Sequence, residues 1–84
     1  MKEPIRDARR QTIGYMDRQS NGKCTIYDKM YRRIGEIRPN GSKLEAFDHM
    51  NRRLGSWDER TDTTFDKMNR RMGKGNLLMN FYFE

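Results

Sequence analysis

Four aspartates, Asp7, Asp28, Asp48 and Asp66, stand at matching places in this chain, and each has arginine close behind it. Carboxylates gathered around one axis could hold a calcium ion, which takes oxygen ligands in a flexible shell. The competing use is structural. An Asp side chain accepts backbone N–H groups within its own turn, and turn residues recur in repeats for geometric reasons. The structural use is favoured, so no metal ligands are assigned.

The arginines come in pairs: Arg32-Arg33, Arg52-Arg53, Arg70-Arg71 and, shifted, Arg9-Arg10. As a set they could present guanidinium groups to nucleic-acid phosphates or to an acidic protein. Alternatively, one Arg of each pair forms an ion pair with the Asp of its own hairpin. Neighbouring strand residues point to opposite faces, so at most one Arg per pair serves a shared surface. Tyr31, Tyr15 and Trp57 could stack on bases or anchor a protein partner. A lone Trp in a thin β-core is more often packing. Met30, Met50 and Met68 recur two residues after Asp. Methionine suits adaptable contact surfaces, but packing back over the aromatic residues at the rim or core is the favoured reading.

Catalytic chemistry has little support. Cys24 and His49 are the only thiol and the only imidazole, and neither has a counterpart in another repeat. No Cys/His zinc spacing occurs, and Gly73-Lys74-Gly75 lacks the spacing of a phosphate-binding loop. No catalytic, cofactor-binding or metal residue is assigned, and a non-enzymatic protein is expected.

The elements that position these residues are repeats. Asp7 and Gly14 bracket ARRQTI, Asp28 and Gly35 bracket KMYRRI, Asp48 and Gly55 bracket HMNRRL, and Asp66 and Gly73 bracket KMNRRM. The Asp-to-Gly spacing is seven each time, and successive Asp residues lie 21, 20 and 18 apart. Such a period suits one strand–turn–strand unit. The residue before Asp (Arg6, Tyr27, Phe47 or Phe65) and the residue before Gly (Ile13, Ile34, Leu54 or Met72) read as two inward anchors. Between them lies a polar turn in which Asn51 and Asn69 tolerate the left-handed conformation. The recurring Gly permits a bulge or close backbone approach. Asn21-Gly22 and Asn40-Gly41 are strong hairpin signals between units; the third link, Glu59 to Asp62, has no Gly.

The expected fold is all-β. Four tandem β-hairpin repeats, at about 5–25, 26–45, 46–63 and 64–76, form an up-and-down meander of about eight strands with pseudo-four-fold symmetry. The apolar stretch 77–84 reads as an extra C-terminal strand. It either closes the ring against the first unit or forms an exposed edge that drives homodimerisation, with Leu78, Phe81 and Phe83 as the contact residues. Residues 1–84 make one domain.

At Y-D-x-x-x-R-R-I-G, followed by an N-G turn and the next aromatic-Asp, the chain resembles the four-fold beta-flower family, small bacterial proteins with four hairpins arranged as petals. The resemblance covers about residues 5–75. It implies fold and copy number but no biochemical activity. A weaker likeness links the chain to the YD repeats of Rhs-type toxins and wall proteins, whose large shells 84 residues cannot build. The first repeat departs most, with Arg6 for the aromatic and Ala8-Arg9 for Lys/His-Met.

Composition limits the rest. Net charge is +6, and Arg supplies 12 of the 18 basic residues, which favours flat, bidentate contact with phosphate or carboxylate. Only 13 of 84 residues are Leu, Ile or Phe, and Val is absent, so the core must be thin. No apolar run approaches a membrane span, and a single cysteine fits a reducing cytoplasm, that of the host if the protein is phage-encoded. The leading expectation is a small binding module with a basic Arg-rich face for an acidic protein surface or nucleic acid. A phage- or mobile-element-encoded inhibitor of a bacterial defence enzyme, such as a CRISPR nuclease, and a structural or oligomerisation module are the alternatives.

Overall fold

The computed structural model describes residues 2–83; Met1 and Glu84, at the ends assigned to the domain and to the tail strand, lie outside the described residues. Eight strands follow one another: β1 (Lys2–Arg6), β2 (Thr12–Arg18), β3 (Cys24–Asp28), β4 (Arg33–Asn40), β5 (Lys43–Asp48), β6 (Arg53–Asp58), β7 (Thr63–Asp66) and β8 (Arg71–Lys74). They form one antiparallel sheet in sequence order. The all-β meander of tandem hairpins is therefore the fold. No helix among the described residues is long and apolar enough to cross a membrane.

Each unit is built the same way. Asp begins a tight turn in which the N–H three residues on donates to the Asp carbonyl, at 3.0 Å from Arg10, Tyr31 and Asn51 and 2.9 Å from Asn69. Those four residues hold the left-handed conformation, with φ of 64, 64, 64 and 62°. This is the three-residue hairpin connection that ends in a left-handed residue. Asn51 and Asn69 meet its demand cheaply. Between units, Gly22 (φ 90°) and Gly41 (φ 62°) turn the chain as their Asn-Gly contexts predict. In the third link Asp62 takes the positive φ instead, at 49°, and its Oδ1 accepts a 2.9 Å hydrogen bond from Trp57 Nε1.

The register corrects the expected anchors. Opposite Gly14, Gly35, Gly55 and Gly73 stand Ile5, Ile26, Ala46 and Thr64, the residues two before each Asp. Ile26, Ala46 and Thr64 are fully buried. Because faces alternate, Tyr27, Phe47 and Phe65 belong to the opposite face and are only half-buried. Ile13, Ile34, Leu54 and Met72 are skipped by the ladder, so each is the extra residue of a β-bulge. The bulge lets Ile34 and Leu54 pack against the core, whereas Met72 stays 43% exposed.

The tail is a second correction. Residues 77–83 form no strand, and among the described residues no ladder joins the tail or β8 to β1. Instead Leu78–Phe81 make one 3₁₀ turn, held by Asn80 N–H to the Leu77 carbonyl (3.0 Å) and Tyr82 N–H to the Met79 carbonyl (3.1 Å). A strand offers only two faces. A tight turn sends successive side chains in three directions, and the tail uses them all. A Cβ on Gly14 would lie under 3 Å from the Phe83 ring, one on Gly35 from the Tyr82 ring, and one on Gly55 from the Phe81 ring. Leu77 lies over Gly73. Three consecutive aromatic residues thus fill three consecutive glycine sockets in reverse order, and Leu78 joins Ile26, Ile37 and Ala46 in the core.

Candidate functional site

In an up-and-down meander alternate connections share an edge, so the four Asp turns line one rim of the sheet and the inter-unit links line the other. Every turn is locked by its carboxylate. The Oδ1 atoms of Asp7, Asp28, Asp48 and Asp66 each accept two backbone N–H groups, from the residues two and four positions on, at 2.8–3.0 Å. In three turns Oδ2 also takes the Nε of Arg32, Arg52 or Arg70, at 2.9, 2.8 and 2.9 Å. The backbone N–H of that Arg, with the other donors, holds the carboxyls of Asp28, Asp48 and Asp66 below the usual range. Gln11 replaces the Arg in the first turn and brings no ion pair. Among the described residues, no three His, Cys, Asp or Glu side chains gather as a ligand set.

The two members of each Arg pair divide their work. Arg32, Arg52 and Arg70 bind Asp through Nε alone, which leaves their Nη edges outward on side chains 73–77% exposed. Arg33 and Arg53 lie along the sheet instead. Arg33 reaches Glu36 (2.8 Å) and the His49 carbonyl of the next turn (3.4 Å). Arg53 reaches Glu45 (3.2 Å), the Lys67 carbonyl and Asn69 (both 3.4 Å). Arg38 joins them, bonding Glu36 and Asn51 while stacking 4.2 Å from the Phe47 ring centre. These bonds fix neighbouring turns to one another. Two glutamates hold the carboxylate ends, and Glu36 is kept ionised below its usual range first by Arg38 and then by Arg33. In the last unit Arg71 is exposed and makes no ion pair among the described residues. In the first unit Arg9 is exposed at the turn, and Arg10 occupies the left-handed position.

Methionine is where packing was the expectation and the structure differs. Met30, Met50 and Met68 are 73, 63 and 67% exposed. Two positions after Asp lies the apex of the turn, where the side chain is left largely to solvent. The signal was their fixed place in the turn. Beside Met30, a groove of about 430 Å³ is lined by Ile13, Ile34, Tyr82 and Phe83 together with Asp28, Lys29 and Arg32. The structure therefore brings together Arg32, Arg52 and Arg70 with three methionines on one rim, but turns Arg33 and Arg53 to structural use.

Other candidates separate. Cys24 starts β3 at the link end, whereas His49 lies in a turn at the rim, so the length of a strand divides them. Burial pushes the Cys24 thiol up, away from thiolate chemistry. Trp57 packs against the core, and Leu78 is 1% exposed, with Phe81 and Phe83 half-buried on their glycines. Tyr15 and Tyr31 stack with ring centres 4.4 Å apart, a pairing that no local spacing signals. Compared with protein-family models, with curated proteins and with solved structures, the chain matches none of them.

Proposed function

We propose that the chain is a small non-enzymatic binding module that engages an acidic protein surface through the rim of Asp turns. One observation carries this reading: exposed methionines and outward guanidinium edges alternate along one rim, beside a largely apolar groove whose charged lining is Asp28, Lys29 and Arg32. Carboxylates of a partner meet the Nη edges bidentately, and an apolar side chain between them fits the groove. Methionine adapts to the contact. A nucleic-acid backbone uses the cations but has no need of the methionines. The single thiol suits a reducing compartment, and the proposal places the module in the cytoplasm.

Display of peptides rich in Asp, Glu and bulky apolar residues, selected on the wild type and counter-selected on a Met30→Ser/Met50→Ser/Met68→Ser variant, tests it. Peptides that bind the wild type, lose at least about tenfold in the variant and weaken as salt rises support the proposal. Binding to mixed DNA or RNA that the methionine changes leave untouched gives the rim to nucleic acid instead. No binding of either kind at low salt removes the proposal.

A further inference from the structure

Three of the four tyrosines meet on the outer face of the first two units, opposite the tail. The ladder sets Tyr15 directly across from Tyr27, with Lys2 two residues along from Tyr15's other partner, Pro4. Tyr31 folds back from the second turn and stacks on Tyr15, ring centres 4.4 Å apart and planes 13° from parallel. Into this group Lys2 places its ammonium, 4.6 Å from the centre of the Tyr27 ring and 5.3 Å from that of Tyr31. Both distances lie within the reach of a cation–π contact.

Tyr31 is a costly choice for the turn itself. Its φ is 64°, a conformation disfavoured for aromatic side chains. Units three and four fill the same position with Asn51 and Asn69, which suit it. An aromatic residue there serves the ring cluster rather than the turn. The cluster is open as well as ordered, since Tyr31 remains 55% exposed and Lys2 belongs to an exposed edge strand. The Tyr15 hydroxyl is pushed up first by the neighbouring Tyr31 side chain.

We propose that Tyr15, Tyr27 and Tyr31 form an aromatic receptor for an alkylated ammonium group, occupied in the resting protein by its own Lys2. Lysine is a modest ligand for such a group because its ammonium is strongly hydrated. A quaternary ammonium group sheds water more readily and presents methyl groups to the rings. It therefore displaces the Lys2 side chain, which swings out to solvent without disturbing β1. The group can come from a choline-type small molecule or from a trimethylated lysine side chain. Tyr31 shares the second turn with Met30 and Arg32, but the receptor uses the outer face of the sheet, and neither proposal depends on the other.

The test follows tyrosine ring signals by NMR while choline, free trimethyl-lysine, or the neutral choline isostere dimethylbutanol is titrated in, with sodium chloride as the ionic-strength control. Saturable shifts of Tyr27 and Tyr31 are expected with either cation and not with the alcohol; the stronger of the two identifies the source of the group. Lys2→Ala removes the internal competitor and should tighten binding roughly three- to tenfold. Tyr31→Asn adopts the residue of the third and fourth turns, so the fold persists while the saturable shifts disappear. Equal shifts with alcohol and cation, or no saturable response from Lys2→Ala, overturn the proposal. So does unchanged binding in folded Tyr31→Asn.

Discussion

The ring of Tyr82 lies on the bare backbone of Gly35, and its hydroxyl reaches past the glycine to the Phe47 carbonyl at 2.8 Å and the Glu36 carbonyl at 3.1 Å. One side chain thereby ties the tail to the middle of the sheet by shape and by hydrogen bond. The glycine makes the contact possible.

Adding one methyl group at that point is the most direct challenge to the core. In Gly35→Ala the new Cβ meets both the Phe47 carbonyl and the Tyr82 ring at under 3 Å. A loss of roughly 1–3 kcal/mol is expected from overpacking, read as a lower urea midpoint. Gly73→Ala is the control. Its Cβ meets only Leu77 Cδ1, at 3.4 Å, so stability should stay within about 0.5 kcal/mol.

Tyr82 gives the protein a measurable alkaline limit. Burial pushes its hydroxyl well above the ordinary 10.0. A folded-state value above the unfolded one makes the contribution complete below about pH 10 and erodes it as pH rises through the folded value. Absorbance titration should find Tyr82 ionising well above the ordinary phenol value, together with unfolding. Tyr82→Phe should lose about 1 kcal/mol at neutral pH and show a weaker alkaline decline.

Acid acts through the rim. Asp28, Asp48 and Asp66 have carboxyls lowered from 3.8, so their contribution is present above that value and fades as pH falls through the folded values. Asp48→Asn keeps an acceptor for the turn but loses the Arg52 ion pair. Its thermal midpoint should fall at neutral pH, and the gap to wild type should narrow as pH falls below 3.8 through the folded carboxyl's range.

The apex methionines should be dispensable for folding. Met30→Ser, Met50→Ser and Met68→Ser together are expected to move the urea midpoint by less than about 0.5 kcal/mol per site. A cooperative loss of stability in the triple variant would show that the side chains pack, against their exposure.

Local rules were written plainly in the sequence, and three-dimensional ones were not. Asp28 and its three counterparts announced a turn because an Asp carboxylate bonds its own backbone, a contact that spans only four residues. The Asn-Gly links were legible for the same reason. Ile34 and Leu54 looked like ordinary inward strand residues, and the bulge that displaces them shows only in register against the partner strand. The tail was hardest to read. Leu77 through Phe83 has strand-like composition, and nothing local says that three aromatic residues must face three sockets. On the rim, Arg32 and Arg33 are alike as letters. Only the strand direction tells which one stays at the turn and which one braces its neighbour.

The glycine sockets also impose a timetable. Each hairpin draws on contacts close in sequence and can form on its own schedule. The Tyr82 hydrogen bonds, by contrast, join residues 35 and 46 positions apart, and the Gly14 socket waits still longer for Phe83. Local pairing is fast and long loop closure is slow. The sheet should therefore assemble first as an open, wettable scaffold and expel water from its centre in one late step. Until that step, Gly14, Gly35 and Gly55 present a bare backbone track that any aromatic-rich segment can compete to fill.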